Sequence, residues 1–304
     1  MRSADEVLAA VRATGLLGAD APVLVLLSGG RDSTCLVDLA VRLSGGASAL
    51  HVNYGLRPDS DADEAYCRAL CAQLDVPLAV GRPRRPDDAG NLQAWARDVR
   101  YAAAARRGIT VAAGHTASDQ AETVLYRLAS SPGRRALLGM AARDGRLVRP
   151  LLGVTRDETA AYCRERGLAW REDATNASDA FARNRVRHEL LPALRAIHPA
   201  AEENVRRTAE LLREEAAVLD EVVAGVLDGR DEIELDRLAA LPPALARLVV
   251  RRLAEGATGG AVPRAARRTE DVLALGSDGA LDLGDGARAR VRAGILRFEP
   301  TPAR

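Results

Sequence analysis

The chain has 304 residues, 47% of them hydrophobic, and its charged residues leave a formal net charge of +1. This is long and apolar enough for one large α/β domain and a smaller second domain, and the near-neutral charge excludes a global attraction to nucleic acid. All 43 basic residues are arginine, so no lysine side chain can act as a base or phosphate ligand. We expect a cytoplasmic protein without a membrane span, because no apolar run reaches 18 residues and the N-terminus lacks a signal-peptide core.

Strands and helices alternate along the first two thirds of the chain. Apolar runs predict strands at about 22–27, 48–53, 77–81 and 109–113. Amphipathic runs predict helices at about 33–43, 61–74, 90–106 and 118–129. This alternation is typical of a doubly wound parallel α/β sheet, in which ligands bind where strands end and helices begin.

The pattern changes after residue 192. A long charged amphipathic helix is predicted over about 200–227, followed by a leucine-rich helical run and a β-like close around a Gly-Asp-Gly turn at 284–286. We therefore expect one domain over residues 1–197, and a linker helix with a smaller, mainly helical domain over residues 198–304. The four cysteines form no Cys-x-x-Cys pair, which predicts reduced core residues.

The turn after the first predicted strand has the composition of a phosphate site. Two glycines let the backbone approach an anion, amides of the turn point at it, and hydroxyl groups add donors. The Gly-Lys-Ser/Thr of a Walker loop does not follow. The residues that we expect to hold phosphate are Ser28, Gly29, Gly30, Arg31, Asp32, Ser33 and Thr34.

Polar residues also follow the second and fourth predicted strands, at 51–57 (HVNYGLR) and 114–123 (GHTASDQAET). Ser118 is expected to cap the next helix, which places Asp119 and Glu122 on one face of its first turn. Helix capping alone does not explain why so many polar side chains follow this strand, since His115 and Gln120 lie there together with the two acids. Local arginine runs, seven residues between 127 and 156 and a second group from 183 to 195, could contact phosphate or form a solvated face.

The ordered set of motifs resembles a known family. SGGRDS at 28–33 is similar to the signature of the N-type ATP pyrophosphatases, or PP-loop proteins. Together with HVNYGLR, GHTASDQAET, Asp-x-Thr-Asn at 173–176 and RNRVRHELLP at 183–192, it resembles the tRNA(Ile)-lysidine synthase family. One departure is Tyr54, where members commonly have a histidine; a phenol does not titrate near neutrality.

The resemblance implies a reaction and its ligands. Members use ATP and Mg²⁺ to adenylate carbon 2 of the wobble cytidine in the isoleucine tRNA with a CAU anticodon, and free L-lysine then displaces AMP. By carry-over, Asp32 places the metal, Arg97 or Arg100 neutralises phosphate charge, and acids bind the ammonium groups of lysine. The implied catalytic residues are Asp32, Arg97, Arg100, His115, Asp119 and Glu122.

The same resemblance implies contacts to the tRNA and to free lysine. The implied substrate-binding residues are Asn53, Arg57, Asp119, Gln120, Glu122, Asp173, Asn176, Arg183, Arg185 and Arg187. The smaller domain is implied to help bind tRNA through arginines 247, 251, 252, 264, 267 and 268. The oligomeric state is left open, a homodimer included.

Other functions share the phosphate loop. A tRNA 2-thiolation ligase usually needs Cys-x-x-Cys pairs, which this chain lacks, and a glutamine-dependent synthetase would need a glutaminase half. A non-catalytic nucleotide-binding domain is a third alternative. Asp32 together with the acids at 119 and 122 argues against it, since a pure binder needs no carboxylates beside a triphosphate.

Overall fold

The computed structural model describes residues 1–56, 58–84, 92–131, 133–172 and 182–301. The chain divides into two compact units, Met1–Leu212 and Arg213–Arg304. The predicted domain boundary after residue 197 stays a prediction. No helix of the described residues is both long and apolar enough to cross a membrane.

The described part of the first unit contains a six-stranded sheet flanked by helices. Its strands are β1 (Pro22–Leu26), β2 (Gly46–Val52), β3 (Leu78–Gly81), β4 (Thr110–Ala112), β5 (Arg143–Asp144) and β6 (Leu147–Val148). Its helices are α1 (Ala4–Ala13), α2 (Arg31–Leu43), α3 (Ser60–Gln73), α4 (Leu92–Ala105), α5 (Ala117–Ser130), α6 (Arg134–Leu137), α7 (Arg156–Glu165), α8 (Ala182–Arg185), a π-helical turn (Val186–Leu190) and α9 (Leu191–Ile197). The predicted doubly wound α/β fold is confirmed.

Strand β1 lies in the middle of this sheet and is buried on both faces. Val23 and Val25 pack into one apolar cluster with helix α2, whereas Leu24 and Leu26 pack into a second cluster on the opposite face. A strand with helices on both sides needs an apolar residue at every position, which explains the unbroken run that predicted it.

The strand order β3-β2-β1-β4-β6-β5 sets the position of the ligand crevice. The pairs β1–β2, β2–β3, β1–β4 and β4–β6 are parallel, and β5 is antiparallel to β6. From β1 the chain continues to β2 on one side and later reaches β4 on the other, so the order reverses at β1. The turns after β1 and β4 therefore meet at the switch point where such sheets bind ligands.

The second unit is built around an antiparallel sheet. Helix α10 (Ala201–Leu227) begins before Arg213, and only its later part belongs to this unit. The elements that follow it are β7 (Glu232–Glu234), α11 (Leu235–Ala239), α12 (Pro243–Thr258), a 3-10 turn (Ala265–Arg268), α13 (Thr269–Leu273), β8 (Gly279–Gly284), β9 (Ala287–Arg292) and β10 (Ile295–Pro300). The sheet has the order β7-β10-β9-β8. Its core follows the period of two in β9, where Ala287, Ala289 and Val291 are buried and arginines alternate with them.

Candidate active site

The turn between β1 and α2 forms a cradle that requires glycine. Gly29 has a φ of +86°, and a Cβ atom there would lie 3.3 Å from the ring of Tyr66. Inside the turn, the Ser33 hydroxyl donates to the carbonyl of Gly30 at 2.8 Å, and the Ser28 hydroxyl accepts from the amide of Gly30 at 3.3 Å. The loop is thus held in shape at the N-terminus of α2, where free amides and the helix dipole favour an anion.

A second segment holds this turn in place, and sequence analysis did not identify it. The amide of Arg171 donates to the carbonyl of Gly29 at 3.0 Å, and the Tyr66 hydroxyl donates to the carbonyl of Ala169 at 2.5 Å. The side chain of Arg171 also pairs with Asp63 at 3.0 Å. These contacts join the phosphate loop to helix α3 and to residues that follow α7.

The turn after β4 approaches the phosphate loop closely. A Cβ atom at Gly114 would lie 3.1 Å from the carbonyl carbon of Asp32 and 3.2 Å from the amide nitrogen of Ser33. Contacts this short favour glycine at position 114, because a Cβ atom would require the backbone of Asp32 and Ser33 to shift by a few tenths of an ångström. The close approach places His115 and the first turn of α5 beside the phosphate loop.

The predicted cap of α5 is wrong by two residues. Thr116 is the N-cap, because its hydroxyl accepts from the amide of Asp119 at 3.3 Å while the Asp119 carboxylate accepts from the amide of Thr116 at 2.8 Å. Ser118 lies inside the helix instead, and its hydroxyl accepts from the amide of Arg156 at 3.3 Å. Asp119 therefore has a structural role in addition to any ligand that it binds.

The acids of α5 are neutralised by three arginines. The carboxylate of Glu122, whose side chain is 0% exposed, accepts from Arg156 at 3.0 Å, from Arg183 at 3.3 Å and from Arg187 at 2.7 Å. Asp119 accepts from Arg156 at 3.0 Å. We call these five residues the arginine–carboxylate cluster. It satisfies the requirement that a buried charge be paired, and three guanidinium groups against two carboxylates leave an excess positive charge.

Arg156 also connects this cluster to the phosphate loop. Its Nε lies 4.0 Å from Oδ2 of Asp32, and the hydroxyl of Thr159, one turn further along α7, donates to Oδ1 of Asp32 at 2.5 Å. Sequence analysis placed Arg156 only within a run of arginines. The missed signal is its position directly after Thr155 in a Thr-x-x-Glu capping box, which fixes it as the first residue of a helix.

Burial and charge set the protonation states at the site. Burial lowers the pKa of His115 to about 4, so its imidazole is neutral at pH 7. Burial raises the pKa of Asp32, an effect that Arg31 and the Thr159 hydroxyl oppose. For Asp119, burial also acts to raise the pKa, but Arg156 and the amide of Thr116 outweigh it and the pKa is lowered. The site therefore combines an ionised carboxylate with a neutral histidine.

A cavity of about 1030 Å³ lies over these elements within the first unit. Among the predicted residues, its lining includes Ser28, Gly30, Arg31, Asp32, Ser33, Arg100, His115, Asp119 and Arg187. The rings of Tyr101 and Trp170 also line it and offer apolar faces on which a nucleobase can stack. The volume is at the upper end of the range for ligand pockets, which suits more than one substrate.

Two predicted substrate-binding amides are used inside the protein. The side chain of Asn53 donates to Asp61 at 2.9 Å and to Glu64 at 3.0 Å. The side chain of Gln120 donates to the carbonyl of Met140 at 2.8 Å and accepts from its amide at 2.6 Å. These bonds hold loops in place. A role of either residue in binding substrate stays a prediction.

Other predicted residues lie around the cavity. The guanidinium of Arg97 stacks 5.5 Å from the ring centroid of Tyr101, and Arg185 is exposed at the end of α8. Thr34 is buried, with its hydroxyl 3.2 Å from that of Tyr66. Arg100 lines the cavity, whereas Arg97 is not among the described residues that line it.

Tyr54, at the position commonly occupied by histidine, has a structural contact. Its hydroxyl donates to the carbonyl of Ala96 at 2.6 Å, and burial raises its pKa. The phenol therefore fixes the turn after β2 against α4. The predicted residues Arg57, Asp173 and Asn176 lie outside the described residues.

The chemistry of Asp32 fits a magnesium ion that is held mainly by phosphates. Mg²⁺ at nucleotide sites commonly takes one or two carboxylates together with phosphate oxygens and water. Asp32 supplies one such carboxylate beside the phosphate loop. Within the described residues, no group of three or more His, Cys, Asp or Glu side chains could hold a metal ion.

The fold and this loop define a nucleotide-binding α/β domain of the PP-loop class. Residues 6–194 match the family model described as a PP-loop domain. Among solved structures, the U34-tRNA thiolase NcsA from Methanococcus maripaludis aligns with a TM-score of 0.58 at 18% identity, over 69% of this chain and 78% of that one. At that identity the likeness concerns the fold alone.

Proteins with similar sequences show which family of PP-loop proteins this chain belongs to. The tRNA(Ile)-lysidine synthase of Nocardia farcinica is 38% identical, over 95% of this chain and 96% of its own length. That of Dehalococcoides mccartyi is 37% identical over 86% of this chain, which spans 62% of the length of that longer relative. The chain belongs to the tRNA(Ile)-lysidine synthase family of PP-loop proteins.

Proposed function

We propose that this chain is an ATP-dependent ligase that joins free L-lysine to carbon 2 of the wobble cytidine of the isoleucine tRNA with a CAU anticodon. The observation that carries the proposal is the 38% identity to a tRNA(Ile)-lysidine synthase over nearly the whole of both chains. The site chemistry supports it, because the phosphate loop and Asp119 line one cavity, and Asp119 shares Arg156 with the buried carboxylate of Glu122.

In the proposed reaction, ATP adenylates the oxygen on carbon 2 of the cytidine and pyrophosphate leaves. Backbone amides of the first turn of α2, at residues 31–33, and the guanidinium of Arg100 would neutralise the charge that develops on the phosphates. Asp32 would hold Mg²⁺, which would help to neutralise the phosphate charge. The ε-amine of lysine then attacks carbon 2, and AMP leaves with the former oxygen of that carbon.

The second step requires acids that bind an ammonium group and a base that accepts a proton. Asp119 and Glu122 are the proposed ammonium ligands. His115 is the proposed proton acceptor; because its lowered pKa makes it a weak base in the absence of ligands, this role requires that the bound anionic substrates raise its pKa. The ε-amine of lysine has a reference pKa near 10.4, so its deprotonation is needed before attack. We further propose that the protein works in the cytoplasm.

The cysteines argue against the thiolation alternative. All four are free and buried, as the sequence predicted. Burial raises the pKa of Cys67 to about 12 and that of Cys71 to about 11, and it also raises the pKa of Cys35. Sulfur transfer needs an accessible thiolate, which these environments disfavour.

The test is a two-stage assay with labelled ATP. We expect pyrophosphate release only when the isoleucine tRNA with a CAU anticodon is present, and conversion of the adenylated tRNA to the lysine adduct only when free lysine is added. An isoleucine tRNA with a GAU anticodon is the matched control, since it has no wobble cytidine. Product formation with a sulfur donor in place of lysine, or no tRNA-dependent turnover of ATP, would contradict the proposal.

A further inference from the structure

Arg156 contacts carboxylates from two different loops. Its two terminal nitrogens donate to Glu122 and to Asp119, each at 3.0 Å, and its Nε lies 4.0 Å from Oδ2 of Asp32. Asp32 belongs to the phosphate loop, whereas the other two acids belong to the first turns of α5. Arg183 and Arg187 pair with the same acids of α5, and Arg156 adds the link to Asp32.

The placement of Arg156 works against local helix preferences. It is the first residue of α7, where the positive end of the helix dipole disfavours a cation. The helix start is nevertheless fixed, because Thr155 and Glu158 form a capping box and Ser118 accepts the amide of Arg156. A cation that is held at an unfavourable position of a well-fixed helix start is expected at a functional site.

The guanidinium of Arg156 can contact either the acids of α5 or an anionic ligand in the cavity. Its side chain is 21% exposed and lines the cavity, so it can reach a ligand there. A triphosphate in the loop beside Asp32 would bring several negative charges close to the guanidinium and compete with the acids of α5 for it.

We propose that Arg156 is a positioning residue that couples occupancy of the phosphate loop to the affinity of Asp119 and Glu122 for an ammonium group. The inference rests on the proposed function, in which these acids bind free lysine. As the guanidinium turns toward bound phosphate, the two acids lose one cationic partner and bind an ammonium group more tightly. Because coupling is reciprocal, bound lysine increases the affinity for the nucleotide by the same factor.

The test is calorimetric titration of the full chain with L-lysine, with and without α,β-methylene ATP and Mg²⁺. In the wild type we expect the analogue to lower the Kd for lysine by about 5-fold to 150-fold, the usual range of such coupling. In Arg156→Gln we expect tighter lysine binding without the analogue, and a coupling factor close to 1. Arg164→Gln is the matched control, because Arg164 is exposed on the same helix, and it should keep the wild-type coupling.

The possible results separate this inference from the function on which it rests. Equal coupling factors in the wild type and in Arg156→Gln, or no coupling in the wild type, would overturn the role of Arg156 while leaving the lysine site in place. A wild-type protein that binds no lysine under either condition would overturn both. If Arg156→Gln does not fold, as judged by its melting curve, Arg156→Lys decides, since a compact ammonium cannot contact three carboxylates and its coupling should be clearly reduced.

Discussion

Replacing Glu122 by glutamine tests both the packing of the site and its proposed chemistry. Glu122 is fully buried and is the shared partner of Arg156, Arg183 and Arg187. Glutamine keeps the size of the side chain but removes the charge, so three guanidinium groups lose a common anion. Removing one member of a buried ion pair costs about 3–5 kcal/mol.

The exposure of the arginines decides where in that range the loss falls. Their side chains are between 21% and 43% exposed, so solvent compensates them in part and we expect about 3 kcal/mol. In a unit of 212 residues, each kcal/mol lowers the melting temperature by about 2–4 °C. Glu122→Gln should therefore melt about 6–12 °C below the wild type. Glu189→Gln, an exposed change in the neighbouring π-helical turn, should melt with the wild type.

The catalytic effect of Glu122→Gln should be confined to the lysine step. An ammonium group that loses a charged acceptor forfeits a hydrogen bond of about 1.5–3 kcal/mol, which raises the KM for lysine roughly tenfold to a hundredfold. Single-turnover experiments with labelled ATP should show the adenylated tRNA accumulating. An enzyme that melts with the wild type would refute the reasoning from burial. Failed adenylation with an unchanged lysine dependence would instead assign Glu122 to the ATP site.

Three further predictions concern the phosphate loop and its surroundings. Asp32→Asn or Ser33→Ala should lower tRNA-dependent pyrophosphate release by about a hundredfold or more and leave tRNA binding, measured by filter retention, unchanged. Gly114→Ala forces a Cβ atom to 3.1 Å from backbone, so urea unfolding should show a loss of about 1–3 kcal/mol and ATP titration a weaker affinity, whereas Gly153→Ala, with open space around it, should change neither. Because the pKa of His115 in the fold is about 4, the unfolded chain binds this proton first as the pH falls below about 6.5, and stability should be lost between these values by up to about 3 kcal/mol. In His115→Gln that part of the pH dependence should be missing, and a wild-type pH profile in this variant would contradict the assignment.

The sequence predicts strands β1 to β4 and helices α2 to α5 of the first unit because each carries a local signal, whereas the short strands β5 and β6 and helices α1 and α6 to α9 are not predicted. Buried parallel strands are unbroken apolar runs, and the helices that cover them have one apolar face. Helix starts are predicted less well. Helix α2 begins at Arg31, two residues before the predicted start, and α5 is capped by Thr116, since a capping box needs an acid three residues later and Asp119 meets that spacing for Thr116.

The contacts that complete the site have no local signal. Arg156 lies 34 residues from Glu122 and 37 from Asp119 along the chain, and Arg171 lies 108 residues from Asp63. Such pairs form only when the sheet brings the elements together, and six other arginines lie between residues 127 and 149. Spacing alone could not distinguish Arg156 from them.

For polar residues at strand ends, the sequence does not distinguish a ligand-binding role from a structural one. A loop that turns sharply at the edge of a sheet leaves backbone amides and carbonyls to be satisfied, and side-chain amides can satisfy them. Gln120 does this for Met140, and Asn53 accepts from the amide of Gly55 at 3.0 Å. The same residue types would also suit a ligand. Only the geometry shows that the protein already uses their hydrogen-bonding capacity.

The absence of lysine from the chain gives the site a particular electrostatic character. Each cation near Asp119 and Glu122 is a guanidinium, which can face several oxygens at once, and the arginine–carboxylate cluster carries an excess positive charge. An ammonium group entering this cluster is repelled unless an anion draws an arginine away or neutralises it. The phosphates of ATP and of the tRNA are such anions. Binding of the proposed cationic substrate should therefore be strengthened by the anionic ones, and by the same factor in the opposite direction.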